Sequence, residues 1–116
     1  PMGLYHRENT QEDFLVLAGE CLLIVEGEER KLKQWDLFHS PPKTEHIIVG
    51  AGDGPAVVLA VGARGRRRRG MVYPVSKAAL KHGAGVKKET TSPSEAYGAF
   101  KDWKRSQYQD GWLPKL

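Results

Sequence analysis

The strongest constraint on this chain is the rhythm of its first sixty residues. Short apolar or alternating runs follow one another, each is stopped by a turn signal, and none carries a helical period. Residues 4–8 form a short alternating run. Residues 13–18 are strongly apolar and stop at Gly19. Residues 21–26 and 29–33 flank Gly27-Glu28, read as a hairpin turn because glycine tolerates positive φ. Residues 36–40 stop at Pro41-Pro42, which has no place inside a central strand. Residues 45–49 follow, then the turn-rich segment 50–55, then a last β-rich run over 56–61. Strands of five or six residues at this spacing predict an all-β sandwich or barrel.

The character changes at Gly62. Residues 62–70 are glycine and arginine with one alanine, which reads as a charged surface loop or linker. Beyond it, Ser76 caps an expected short helix running to Lys81 or His82 and closed by Gly83. A second short helix is expected from Pro93, with Thr91 or Ser92 as cap and Glu95 in its first turn. The chain therefore divides into a β core over residues 1–62 and a basic extension over 63–116. The aromatic end of that extension, with Trp103, Tyr108 and Trp112, is expected to pack on the barrel or on a partner chain.

Charge follows the same division. Residues 1–62 carry five Lys/Arg against ten Asp/Glu, and residues 63–116 carry thirteen against four. The halves are thus −5 and +9, behind a net charge of +4. An acidic first half suits a cation, and a basic second half suits an anionic neighbour. The run Arg66 to Arg69 has no interleaved aromatics and matches no nucleic-acid motif, so a solvated loop is expected rather than nucleic-acid binding. No apolar run approaches the length of a membrane span. No basic segment followed by an apolar stretch opens the chain, so no signal peptide is expected. The single cysteine, Cys21, excludes an internal disulfide and reads as core filler; a cytoplasmic protein is expected.

Two polar clusters interrupt the β core, His6 to Glu12 and Pro41 to His46. Alternate residues of a strand share a face, so His6 and Glu8 point one way together. Glu12 opens the next run and shares a face with Phe14, Val16 and Ala18. His46 enters from another strand after the Pro-Pro-Lys-Thr turn. Two imidazoles and two carboxylates form a donor set for a divalent transition metal such as Zn, Mn, Fe or Ni. Tyr5 alternates with His6 and is expected to face away. His39 and Gln11 read as surface or packing residues, and His82 as a group favoured near a helix C-terminus.

The spacing of these clusters resembles the cupin superfamily, small β-barrels with two signature motifs. The first motif is Gly, five residues, His-x-His, three or four residues, Glu, six residues, Gly. Here His6, Glu12 and Gly19 stand at matching positions, and Glu8 replaces the second His. The second motif is Gly, five residues, Pro-x-Gly, two residues, His, three residues, Asn. Pro41 and His46 match it, Trp35 and Lys43 replace its glycines, and Gly50 replaces its Asn. The resemblance implies a jelly-roll barrel over residues 1–62, with short helices in the C-terminal extension. It implies a metal site of His6, Glu8, Glu12 and His46, in which Glu8 is either a ligand or a free general base. It further implies a small organic ligand, with the reaction left open. The alternative is a metal-free module that binds or senses a metabolite. The first motif begins before Pro1, so one or more leading strands are expected to be missing. That absence, with the family's habit of pairing, points to a homodimer.

Overall fold

Six strands realise the rhythm of the first half. They are β1 (Glu12–Ala18), β2 (Glu20–Val25), β3 (Glu28–Leu32), β4 (Leu37–Ser40), β5 (His46–Ala51) and β6 (Val57–Gly62). The computed structural model of the chain describes residues 3–63, 70–100 and 104–113. The arginine run at 66–69 and Trp103 lie outside the described residues. The strands form two antiparallel sheets of three, ordered β4-β1-β6 and β3-β2-β5.

The sheets pack face to face because their strands alternate as expected. From β1, Phe14, Val16 and Ala18 are buried, and from β2, Cys21 and Leu23 meet them. Ile48 of β5 joins the same core, with Phe38, Val25, Leu32 and Val58 at its margin. Strand β2 is buried on both sides. Its other face carries Ile24, which packs with Ile47, Val49 and Tyr5 under two alanines of the C-terminal segment, Ala79 and Ala84. Those two belong to or follow α1 (Lys77–Lys81), so α1 covers the outer face of sheet β3-β2-β5.

Turn chemistry sets the registers. The β2–β3 hairpin turns on Glu26-Gly27, one residue earlier than the sequence suggests. Both residues take positive φ, 48° and 79°, as a two-residue type I′ turn requires. Glu26 tolerates this because its backbone and side chain are held: its N–H donates to the Glu45 carbonyl, and its Oε1 accepts from the Glu45 N–H. Gly19 joins β1 to β2 at φ 77°, where a Cβ would lie 2.5 Å from the Pro55 carbonyl oxygen. Only glycine fits there.

The two helices form as their caps predict. Ser76 Oγ accepts from the Ala79 N–H at the start of α1, and Gly83 follows its C-terminus at φ 68°. Ser92 Oγ accepts from the Glu95 N–H at the start of α2 (Pro93–Ala96), with Pro93 at the first helical position. The segment over residues 4–8 is not a full strand. Its backbone pairs through single bridges, His6 with His46 on one side and Arg7 with Val72 on the other. It is thus held between β5 and the C-terminal extension, and Leu4 is buried by Tyr73, Val86 and Ala96. At the far end Tyr108 and Trp112 stay half exposed and stack edge to face on each other at 6.1 Å. Among the described residues no helix is long and apolar enough to cross a membrane.

Candidate metal centre

Three donors meet at one end of the space between the sheets. His6 comes from the bridged N-terminal segment, Glu12 from the first residue of β1, and His46 from the first residue of β5. Their ligating atoms all lie within 4.8 Å of one another. Glu12 Oε1 is 3.4 Å from His6 Nε2 and 3.6 Å from His46 Nε2.

The protonation of both rings follows from their other nitrogens. His6 Nδ1 lies 2.7 Å from the Leu4 carbonyl oxygen, and His46 Nδ1 lies 2.9 Å from that of Thr44. A carbonyl only accepts, so each Nδ1 carries the hydrogen and donates it. The neutral form of each ring then presents a bare Nε2 lone pair toward Glu12. The Ser40 hydroxyl lies 3.2 Å from His46 Nδ1 and fixes the ring further. Phe14 and Phe38 flank the same ring at 5.5 and 6.1 Å between centroids.

Two lone pairs and a carboxylate oxygen therefore face one another in a half-closed space. His46 Nε2 is buried and has no hydrogen-bond partner. An orphaned buried acceptor is uncommon, and this one is aimed at two further acceptors. Such a group is stabilised by a cation at its centre. Donor separations of 3.4 and 3.6 Å match the edges of a coordination shell with metal–ligand lengths of about 2.1 Å. The residues present fit a metal ion, and carbonyl anchors on both Nδ1 atoms are the usual support for ligating imidazoles.

The same groups also shift one another's titration. His46 foremost, then His6, hold the Glu12 carboxyl far below the ordinary carboxylate range; burial opposes them without prevailing. Burial disfavours a charged His6 ring, but Glu12, the Leu4 carbonyl and the charge of Glu8 outweigh it, so the His6 pKa is raised.

Glu8 lies against this trio. It is buried, its carboxyl hydrogen-bonds that of Glu12, and its charge reaches His6 and Tyr73. The Glu8 carbonyl accepts from the Lys43 N–H at 2.6 Å, which ties the first cluster to the second. That second cluster is a tight turn closed by the Thr44 N–H on the Pro41 carbonyl, with Lys43 at φ 66°. Proline second and positive φ third is the type II pattern. Trp35, the other residue standing at a motif glycine, also has positive φ, 72°. Both turns keep the shape that glycine favours, without the glycine.

The centre opens into a cavity of about 310 Å³. Glu8, Thr10 and Phe14 line it from the first half, and Met71 and Tyr97 from the extension. Tyr97 also ties down the N-terminal segment, its hydroxyl accepting from the Leu4 N–H. Sequence reasoning missed Ser40, Thr10, Met71 and Tyr97. Ser40 had a signal: the strand register that exposes Leu37 turns it inward, opposite Glu12. Met71 and Tyr97 had none, because they arrive through contacts distant in sequence. Other expectations hold. Tyr5 faces away, its hydroxyl accepting from the Gly27 N–H. His39 pairs with Asp13 at the surface, Gln11 is exposed, and His82 meets Glu29 at the end of α1. Cys21 is buried in the core.

Comparison with known proteins agrees with this architecture. A curated relative, an uncharacterized protein of Methanocaldococcus jannaschii, is 33% identical over 63 residues, covering 51% of this chain and 50% of its own. A crystal structure from Acidithiobacillus ferrooxidans, provisionally named a sugar phosphate isomerase, superposes with a TM-score of 0.52 at 26% identity. It covers 59% of this chain and 43% of its own. A sugar phosphate isomerase of the cupin superfamily from Silicibacter pomeroyi has the same TM-score at 23% identity, covering 66% of this chain and 54% of its own. The chain thus spans about half the length of the relatives it matches. The family described as Cupin domain matches residues 2–62, which contain all six strands, both motifs and the His6, Glu12 and His46 donors. On that match, more than half its length, the chain belongs to the cupin family.

Proposed function

We propose that this chain is a metal-binding cupin that takes a small organic molecule beside its metal. His6, Glu12 and His46 hold a divalent transition ion, one of Zn, Mn, Fe or Ni. Glu8 either completes the shell or serves as a general base. One observation carries the reading: two carbonyl-anchored imidazoles turn bare Nε2 atoms on one carboxylate oxygen, and one of those atoms is buried without a partner. The bound ion would act as a Lewis acid on a ligand oxygen. The chain's own residues orient that ligand against the wall of Phe14, Met71 and Tyr97 and keep bulk water off the buried side.

Sugars and sugar phosphates are the first compounds to try, because the structural neighbours carry sugar phosphate isomerase names. A sugar isomerisation moves a proton between adjacent carbons, and in this reading Glu8 would carry it. A cytoplasmic setting belongs to the same proposal and rests on the sequence. The test is metal analysis of protein purified without chelator. We expect close to one ion per chain, lost in His46→Ala. Metal-free protein whose melting is unmoved by added Zn, Mn, Fe or Ni would sink the metal.

A second reading is a metabolite-binding or sensing module that works without metal. The His6–Glu12 contact favours it, since a protonated His6 ring, 3.4 Å from Glu12 Oε1, satisfies the carboxylate without an ion. Thermal-shift screening of metabolites with chelated protein separates the two. Stabilisation under chelator supports the sensor; turnover that needs metal supports the enzyme.

A further inference from the structure

The C-terminal extension holds a cavity of its own, of about 490 Å³, larger than that of the metal centre. It lies between residues 85–90 and the segment from α2 to Phe100. Its size falls within the roughly 300–1,000 Å³ range of small-ligand sites. Ala96 of α2 lines this cavity, and its neighbour Tyr97 lines the other. Val86, Ala96, Ala99 and Phe100 form the apolar part of the wall. Val86 and Ala96 are buried, and Phe100 is 45% exposed.

The polar part of the wall consists of groups without protein partners. Among the described residues, no backbone N–H or carbonyl of residues 85–89 is hydrogen-bonded, and Lys87, Lys88 and Glu89 form no ion pair. The segment is held at its two ends. The Ala84 carbonyl accepts from the Tyr5 N–H, and Thr90 exchanges both backbone hydrogen bonds with Tyr73. Glu95 differs from Glu89, because one of its carboxylate oxygens accepts from the Thr90 hydroxyl at 2.6 Å. Water ordinarily serves exposed polar groups of this kind. What sets these apart is that both signs of charge and a run of free backbone groups rim one apolar cavity.

We propose that this cavity binds an apolar α-amino acid. Its carboxylate meets Lys87, Lys88 and the free N–H groups beside them, its ammonium meets Glu89, and its side chain enters the apolar part of the wall. Charge selects a zwitterion. Lys87 and Lys88 are balanced by Glu89 and Glu95, so the wall as a whole attracts neither a simple anion nor a simple cation. A phosphorylated ligand would bring its negative charge against both carboxylates. A ligand with one charge of each sign makes a charge-assisted bond at each end. The apolar part then discriminates by side chain, and burying one of leucine size raises affinity on the order of ten- to a hundredfold over glycine.

The site shares no ligand residue with the metal centre, so it is tested on chelated protein. Amide NMR titration with L-leucine or L-phenylalanine is expected to show saturable shifts at residues 85–100, with a dissociation constant on the order of 0.1–1 mM. Glycine is expected to bind at least about tenfold more weakly. Leucinamide lacks the carboxylate and 4-methylpentanoate lacks the ammonium, so each should also lose about tenfold. Lys87→Glu with Lys88→Glu, both at exposed positions, should abolish leucine binding at an unchanged melting temperature. Glu89→Lys should reverse the preference for leucine over 4-methylpentanoate. Ala99→Trp, which fills the cavity from an exposed position, should remove binding of both. The absence of saturable shifts with about 10 mM of either amino acid overturns the proposal. So does equal binding of leucine, leucinamide and 4-methylpentanoate, and so do shifts that centre on His6 and His46 instead.

Discussion

His6 and Glu12 respond oppositely to pH, and that difference is measurable. In chelated protein His6 has a raised pKa, so its stabilising effect is full below the unfolded value of about 6.5 and fades as pH rises through the folded value. Glu12 has a lowered pKa, so its effect is present above the unfolded carboxylate value and is lost as pH falls toward strong acid. Chelated protein should therefore lose melting temperature as pH rises above about 6.5, the unfolded histidine value. Metal competes with protons for the same atoms, so the metal-induced increment in melting temperature should grow over that range. An increment that shrinks with rising pH would exclude His6 as a ligand. Glycine substitutions give a second pair of tests. Gly19 and Gly27 have nearly equal φ, 77° and 79°, but a Cβ at Gly19 collides with the Pro55 carbonyl while Gly27 has open space. Gly27→Ala should cost about 1 kcal/mol for backbone conformation alone. Gly19→Ala should cost about 2–4 kcal/mol, because backbone must move as well. Chemical denaturation of the two variants compares them directly; equal losses would refute the collision.

Elements were legible where local chemistry decided them. The alternation of Phe14, Val16 and Ala18 announced β1 and its buried face, Ser76 announced the first helix, and of the two caps offered for the second, Thr91 and Ser92, the structure uses Ser92. Strand ends fell within one or two residues of expectation. The exceptions were places where a local signal competed with a distant one. The run at 4–8 alternates like a strand, yet among the described residues its β-bridges are single ones, at His6 and at Arg7. The β2–β3 turn came a residue early because the Glu45 backbone holds Glu26 in positive φ. Trp35 and Lys43 show the same override, since tertiary hydrogen bonds impose a glycine-like conformation on larger residues. Lys43→Gly should therefore stabilise the protein by up to about 1 kcal/mol, after the added freedom of the unfolded chain is counted. A loss of stability would mean that the Lys43 side chain contributes more than its backbone strain costs.

At the scale of the whole molecule, the extension belongs to the site although the family match ends before it. Tyr73 is buried, sits 6.1 Å from the His6 ring, and packs with Leu4, Val86 and Ala96. Its neighbour Val72 exchanges both backbone hydrogen bonds with Arg7. Tyr73→Ala should cost about 3 kcal/mol and weaken metal binding, although Tyr73 offers no ligand. Calorimetric metal titration checks it; unchanged affinity would show that β5 and β1 alone position His6.

The sequence by itself determined the strand pattern, the helix caps, the acidic core and basic extension, and the spacing that nominated His6, Glu8, Glu12 and His46. Those are local properties, written in period, turn residues and charge. Only the tertiary structure decided that His6, Glu12 and His46 converge while Glu8 stands beside them, and that Leu4 and Thr44 carbonyls turn both Nε2 atoms inward. It alone showed which sheet is covered and which faces outward. Convergence depends on sheet register and on the bridges that hold the N-terminal segment, contacts between residues about forty to sixty-five positions apart, and no local pattern encodes them.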